Sequence, residues 1–246
     1  METNTWNTPT YFVQTPVQPG RCLEQGWALI RDRYWLFLGI TVVGMLIGSA
    51  LPLVLMGPMM CGIYLCYFRK IRGEEIPFET LFRGFDHFVE ALIATLVIMG
   101  ASFLVIFPTV MAGIGIMFFG IFNLTQSQSE SGGLLMAGSF LLFFFLIFAV
   151  SLAVGVVFLF AYPLIVDRGL GGWAAVKTSA RAIWANLGGM LGLVLLQSLL
   201  SLAGLCFCYV GAFLVMPVVV GATVTAYRKI FPVLPAGASD PLPNQG

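Results

Sequence analysis

Few side chains in this sequence are equipped for chemistry, and their placement limits what they can do. The only histidine, His87, stands with Asp86 and Glu90, a grouping from which acid–base work could be built. At helical spacing, however, these residues fall on one charged face opposite an apolar one, so a solvated surface is expected. Ser139, Ser198 and Ser201 lie in apolar runs that contain no histidine, which leaves no Ser-His pair for acyl chemistry at depth. Met56, Met59, Met60 and Cys61 could offer soft sulfur to Cu(I), but methionine more often fills gaps in an apolar core. A metal site of His and carboxylate has too few ligands. Neither a catalytic centre nor a cofactor is therefore expected. The five cysteines do not suggest a disulfide framework: Cys61, Cys66, Cys206 and Cys208 lie in or beside apolar runs, and Cys22 precedes them.

The elements that must position these residues are long and oily. With 59% hydrophobic and 9% charged residues, the chain lies outside the composition of soluble domains. No charged residue or histidine occurs in residues 35–68, 91–129, 131–166 or 182–227, and each run exceeds the ~20 residues that cross a bilayer. The expected fold is an all-α polytopic membrane protein. A net charge of +1 gives no reason to expect nucleic acid or an acidic substrate as partner. The first twenty residues show no basic segment followed by an apolar one, so no cleaved signal is expected.

One pattern occurs twice. Pro58, Gly62 and Arg69-Lys70-Ile71 have the same spacing as Pro217, Gly221 and Arg228-Lys229-Ile230. In each copy an apolar stretch ends in a cationic pair, the signature of a membrane helix reaching the cytoplasmic surface. Arg69, Lys70, Arg228 and Lys229 are expected to be interfacial anchors. Eleven residues of helix rise about 16 Å, which puts both prolines near the bilayer midplane. There each is expected to remove a backbone hydrogen bond, while the following glycine permits close approach.

The spacing predicts three domains of order: a disordered tail over 1–20, a membrane domain over 21–231 and a disordered tail over 232–246. Within the membrane domain lie repeat one (21–71), a middle hairpin (76–168) and repeat two (171–230). Three interfacial amphipathic helices are expected, each introducing a pair of crossings. The first carries Leu23, Trp27, Ile30 and Tyr34. The second carries Phe78, Leu81, Phe82, Phe85 and Phe88, and the third Trp173, Val176, Ala180 and Ile183. Tight turns are expected at Leu51-Pro52 and near 205–209. A crossing should end at about Phe107, before a new segment started by Pro108, and Leu134–Val166 should return as one long span. Asp167-Arg168 reads as a snorkelling pair, and Asn123-Leu124-Thr125 matches a glycosylation acceptor. With six crossings, every Lys and Arg falls on one side. The positive-inside rule then makes that side, with both termini, cytoplasmic. Both repeats start and end inside, so they are parallel repeats about an axis along the membrane normal.

Gly57-Pro58 with Gly62 and Arg69, Arg72-Gly73-Glu74 and Leu81-Phe82-Arg83-Gly84-Phe85 resemble the first half of uncharacterised bacterial integral-membrane families. These are the YciC-like proteins and the membrane domain beside some glycerophosphodiester phosphodiesterases. Tyr162-Pro163, Asp167, Ala175 with Ser179, Asn186, Pro217 and Tyr227 are similar to the second half. The resemblance covers about residues 20–231 and implies a multi-pass protein of the bacterial inner membrane. It does not carry over the phosphodiesterase activity, because no soluble barrel accompanies it. The expected function is a non-enzymatic membrane or interaction module, whose partners are the bilayer and a second copy or another membrane protein. The alternative is a transporter or lipid-handling protein with an apolar midplane site at Pro58, Gly62, Pro217 and Gly221 for a lipid or hydrophobic ligand. Matching Gly/Pro interruptions point to such a site, while the absence of an ionisable residue at depth favours plain helix packing.

Overall fold

The computed structural model describes residues 12–127, 130–206 and 210–232, without the side chains of 123–132. All regular structure among them is helical: α1 (Pro19–Ile30), α2 (Tyr34–Ala50), α3 (Met56–Ile71), α4 (Phe88–Ser127), α5 (Glu130–Val157), α6 (Ala161–Arg168), α7 (Gly172–Ala185), α8 (Leu187–Cys206) and α9 (Val210–Ile230). Two 3-10 segments, Arg31–Arg33 and Phe78–His87, precede α2 and α4. Proline at the start of α1 and the left-handed Gly169 after α6 mark helix ends where backbone chemistry demands them.

Five stretches are long and apolar enough to cross a membrane: Pro19–Ala50, Phe78–Phe122, Gly133–Arg168, Leu187–Cys206 and Val210–Ile230. α3 is not among them. Its 16 residues rise only about 24 Å, and it is the most enclosed helix, with Met59, Cys61, Ile63, Cys66, Tyr67 and Phe68 fully buried. α3 packs on α2, on the 78–87 segment, on α4 and on α6, while α9 packs on α1, α2 and α8. The returning helices of the first two hairpins each carry the segment that follows them, 78–87 on α3 and α7 on α6, while α9 carries α1 from the start of the chain.

Several expectations change. Pro108 does not end a helix, and α4 continues for 40 residues, about 60 Å. Pro108 faces outward, so its ring meets no packed neighbour, and the Thr109 hydroxyl donates to the Val105 carbonyl (2.8 Å) beside the gap. The expected return span over 134–166 stands as one candidate span, Gly133–Arg168, but a turn at 158–160 inside it separates α5 from α6. Ser179 of α7 fills the break: its Oγ accepts from the Phe160 amide (3.1 Å) and donates to the Val157 carbonyl (2.9 Å). The second interfacial segment is 3-10, so contacts recur every three residues. Leu81 and Gly84 are buried, while Phe78, Phe82 and Phe85 point outward. On α7 the buried face is Ala175, Val176, Ser179, Ala182 and Ile183, and Trp173 lies outside it at 63% exposure. The turn at 51–55 falls where expected, while residues 207–209, on which the second expected turn falls, lie outside the described residues.

The segment before α1 is seated. The Val13 amide donates to the Ile230 carbonyl (2.9 Å), the Thr15 amide to Asn186 Oδ1 (3.0 Å), and Val17 is buried against Gly189. The expectation of a loose tail to residue 20 thus meets an ordered strap from Phe12. Residues 1–11 and 233–246, the rest of the two expected tails, lie outside the described residues.

Candidate functional site

Several polar side chains from different helices converge on α9. Pro217 has no N–H, so the carbonyl of Phe213 loses its intrahelical donor inside an otherwise continuous helix. Side chains of three other helices donate to carbonyls around this point. Tyr34 Oη bonds the Leu214 carbonyl (2.7 Å) and Tyr67 Oη the Pro217 carbonyl (2.8 Å). Gln197 Nε2 donates to the Val219 carbonyl (3.1 Å) and to Thr223 Oγ1 (3.2 Å), and that hydroxyl donates in turn to the Val219 carbonyl (3.0 Å). α2, α3 and α8 are thereby fixed to one stretch of α9, in surroundings where an unpaired polar group has no water to turn to.

The other proline behaves differently. Pro58 lies in the first turn of α3, where its missing N–H would have had no intrahelical partner. The expected loss of a hydrogen bond there does not occur. Pro58 and Pro217 meet different neighbours: a Cβ on Gly84 would stand 2.0 Å from the Pro58 carbonyl oxygen, and a Cβ on Gly62 would stand 1.9 Å from the Leu81 carbonyl oxygen. Gly221 instead faces Gly26 of α1, where a Cβ on Gly26 would come within 2.4 Å of the Ala222 nitrogen. Both Pro-x3-Gly patterns are seats for the backbone of a neighbouring segment.

At the cationic end the charges are used internally. Arg228 makes a two-pronged pair with Asp167 (2.8 and 3.2 Å), and Tyr227 Oη donates to the same carboxylate (2.8 Å). The Arg228 guanidinium also lies 4.6 Å over the Phe68 ring, and its Nε is buried without a partner among the described residues. Asp167 therefore turns inward, not to the interface as a snorkelling pair with Arg168 would. Arg168 still approaches it (3.5 Å) while donating to the Pro232 carbonyl (2.9 Å). Lys70 pairs with Asp32, Arg69 donates to Thr80 Oγ1 (3.1 Å) and approaches Glu74 (3.4 Å), and Lys229 Nζ reaches Cys22 Sγ (3.5 Å). Glu74 also pairs with Arg72, and the Arg72 guanidinium holds its carboxyl below the usual carboxylate range.

The remaining sequence candidates are scattered. Asp86 pairs with Arg83 (3.7 Å) on the surface, and Ser139 donates to the Met136 carbonyl (2.7 Å). Met59 and Cys61 are core residues, and no group of three or more His, Cys, Asp or Glu side chains assembles among the described residues. The acceptor pattern at Asn123 falls where side chains are not described. Ser198 and Ser201 line a cavity of about 680 Å³ between α5, α8 and α9. Sequence reasoning passed over Gln197 and the hydrogen bonds of Tyr34, Tyr67 and Ser179, although a glutamine inside an apolar run is itself a signal. Comparison with protein-family models, with curated proteins and with solved structures gives no match to this chain.

Proposed function

We propose that this chain is a non-enzymatic interaction module that crosses the membrane six times, with its cationic ends and both termini on the cytoplasmic face. The observation that carries the topology is the chain of contacts at the cationic end. Lys70 with Asp32 joins the end of α3 to the start of α2, Arg228 with Asp167 joins the ends of α9 and α6, and Arg69 with Thr80 joins α3 to the segment that starts α4. Each hairpin thus leaves one face and returns to it, with α3 as a short sixth crossing shielded from lipid. On this reading the two Pro-x3-Gly repeats are joined by a third, degenerate unit. Aligned on Arg168, Val157 stands for the proline and Ala161 for the glycine, and Ser179 caps Val157 as Gly84 covers Pro58. The likeness to YciC-like bacterial membrane proteins fits this outline.

The module reading draws its support from the outer α4–α5 hairpin. Among the described residues, none between 99 and 155 belongs to the hydrophobic core, and Phe103, Phe107, Phe118, Phe144 and Phe145 are at least half exposed. The apolar stretch over 89–122 is about 51 Å of helix, against about 30 Å of hydrocarbon. Tilt alone would have to exceed about 50°, beyond the usual limit of about 40°. A second copy or another membrane protein covers the excess. The alternative, a lipid-handling site between Pro58 and Pro217, has less support, since glycine backbones occupy both seats. A benzophenone amino acid placed at Phe118 tests the module in cells: protein adducts are expected on illumination, with twice the mass identifying a second copy. Adducts to lipid alone would remove the reading.

A further inference from the structure

We infer that the cleft between α5, α8 and α9 binds an uncharged long-chain lipid through a hydroxyl head donated to Gln197. This site is separate from both Pro-x3-Gly seats and does not depend on the module reading. The cleft holds about 680 Å³, within the roughly 300–1,000 Å³ of ligand pockets. Its walls are Phe148 of α5, a strip of α8 from Val194 to Leu205, and Ala212 and Val219 of α9. The strip rises about 16 Å along α8, so the space is elongated in the direction of a lipid tail.

Gln197 supplies the polar end. Its residue is only 5% exposed, yet it lines the cleft. The Val219 carbonyl can only accept, so the amide must present its nitrogen there, and Nε2 is engaged by Val219 and Thr223. Oε1 is left pointing away, an acceptor without a hydrogen-bond partner among the described residues. Gln197 stands about 15 Å from either end of α8, where water is scarce and an unpaired carbonyl is costly.

The groups present select the ligand. No lining residue is ionisable, so a carboxylate or ammonium head would enter without a counter-charge. A head that only accepts, such as an ester or a quinone, would leave Oε1 unpaired. A hydroxyl satisfies it, and the Ser198 and Ser201 hydroxyls border the same space.

The test uses the full chain in nanodiscs with a photoactivatable hexadecanol analogue. Adducts are expected on α8 and α9 peptides of the cleft, displaced about threefold to tenfold more effectively by hexadecanol than by hexadecane. Gln197→Leu should weaken displacement by about threefold to tenfold, the range for one interhelical hydrogen bond in a membrane. Because Gln197 also ties α8 to α9, Leu202→Trp provides the second arm. Leu202 is 60% exposed and takes no part in those bonds, so a folded protein that has lost the label is expected. Undiminished labelling of Leu202→Trp, or displacement by hexadecane as efficient as by hexadecanol, would overturn the assignment.

Discussion

The two copies of Pro-x3-Gly-x6-Arg-Lys-Ile share a spacing and differ in nearly everything else. α3 begins two residues before Pro58, whereas α9 begins seven before Pro217. One proline therefore starts a helix and the other interrupts one, and only the second frees a backbone carbonyl. Gly62 receives the tight 3-10 segment, Gly221 a regular helix. Arg69 and Arg228 are about equally covered, but the partner of Arg69, Glu74, is 43% exposed and that of Arg228, Asp167, only 10%. A repeated sequence pattern thus fixes where a neighbour docks, and the length of helix ahead of it decides the local chemistry.

The largest expected difference lies at the glycines. Gly62→Ala puts a methyl 1.9 Å from the Leu81 carbonyl oxygen, backbone against backbone, and should cost about 3 kcal/mol or more. In Gly221→Ala the nearest atom is the Gly26 carbonyl oxygen at 2.9 Å, and about 1 kcal/mol is expected. Thermal unfolding in detergent, followed by tryptophan fluorescence, ranks the two, and the reverse order would mean that the seats are misassigned. The arginines come next. Arg228→Met takes the two-pronged partner from Asp167, whose side chain is 10% exposed and which keeps Tyr227 and Arg168, and should cost about 2–3 kcal/mol. Arg69→Met, at a half-open pair, should cost less than about 1 kcal/mol in the same assay.

Smaller effects sharpen the contrast. Tyr67→Phe removes the donor to the Pro217 carbonyl, and about 1 kcal/mol should be lost. An equal loss on replacing Tyr34, whose bond lies at an exposed site, would show that burial is not what gives the Tyr67 bond its worth. Acid provides the smallest effect. The depressed Glu74 carboxyl stabilises the loop after α3 above its unfolded pKa, and that contribution fades as pH falls through the lower folded value. The Glu74→Gln variant should show a shallower decline in melting temperature on acidification, with the difference vanishing near neutrality only if the Arg72 pair adds nothing.

Much of the helical layout was legible because charge-free runs leave little choice but a membrane helix. The turn at 51–55 and the cationic helix ends followed from Pro52 and from Arg-Lys pairs. What escaped the sequence was set by tertiary partners. Pro108 lies exposed inside a helix that continues past it, and the break at 158–160 is bridged by the hydroxyl of Ser179, nineteen residues beyond Phe160. Trp173 fits an apolar helix face by spacing, yet the contact surface of α7 is built from small residues that let backbones approach. Gln197 looked like one polar residue among leucines until Val219 and Thr223 were brought beside it.

The central claim is that three hairpins leave one membrane face and return to it. Single cysteines placed at Glu75 and at Gly133, with Cys206 and Cys208 replaced by serine, test it with a membrane-impermeant maleimide on intact cells. Labelling at position 133 and protection at position 75 until the cells are opened is the expected result. Labelling of both positions from the same side would contradict the account.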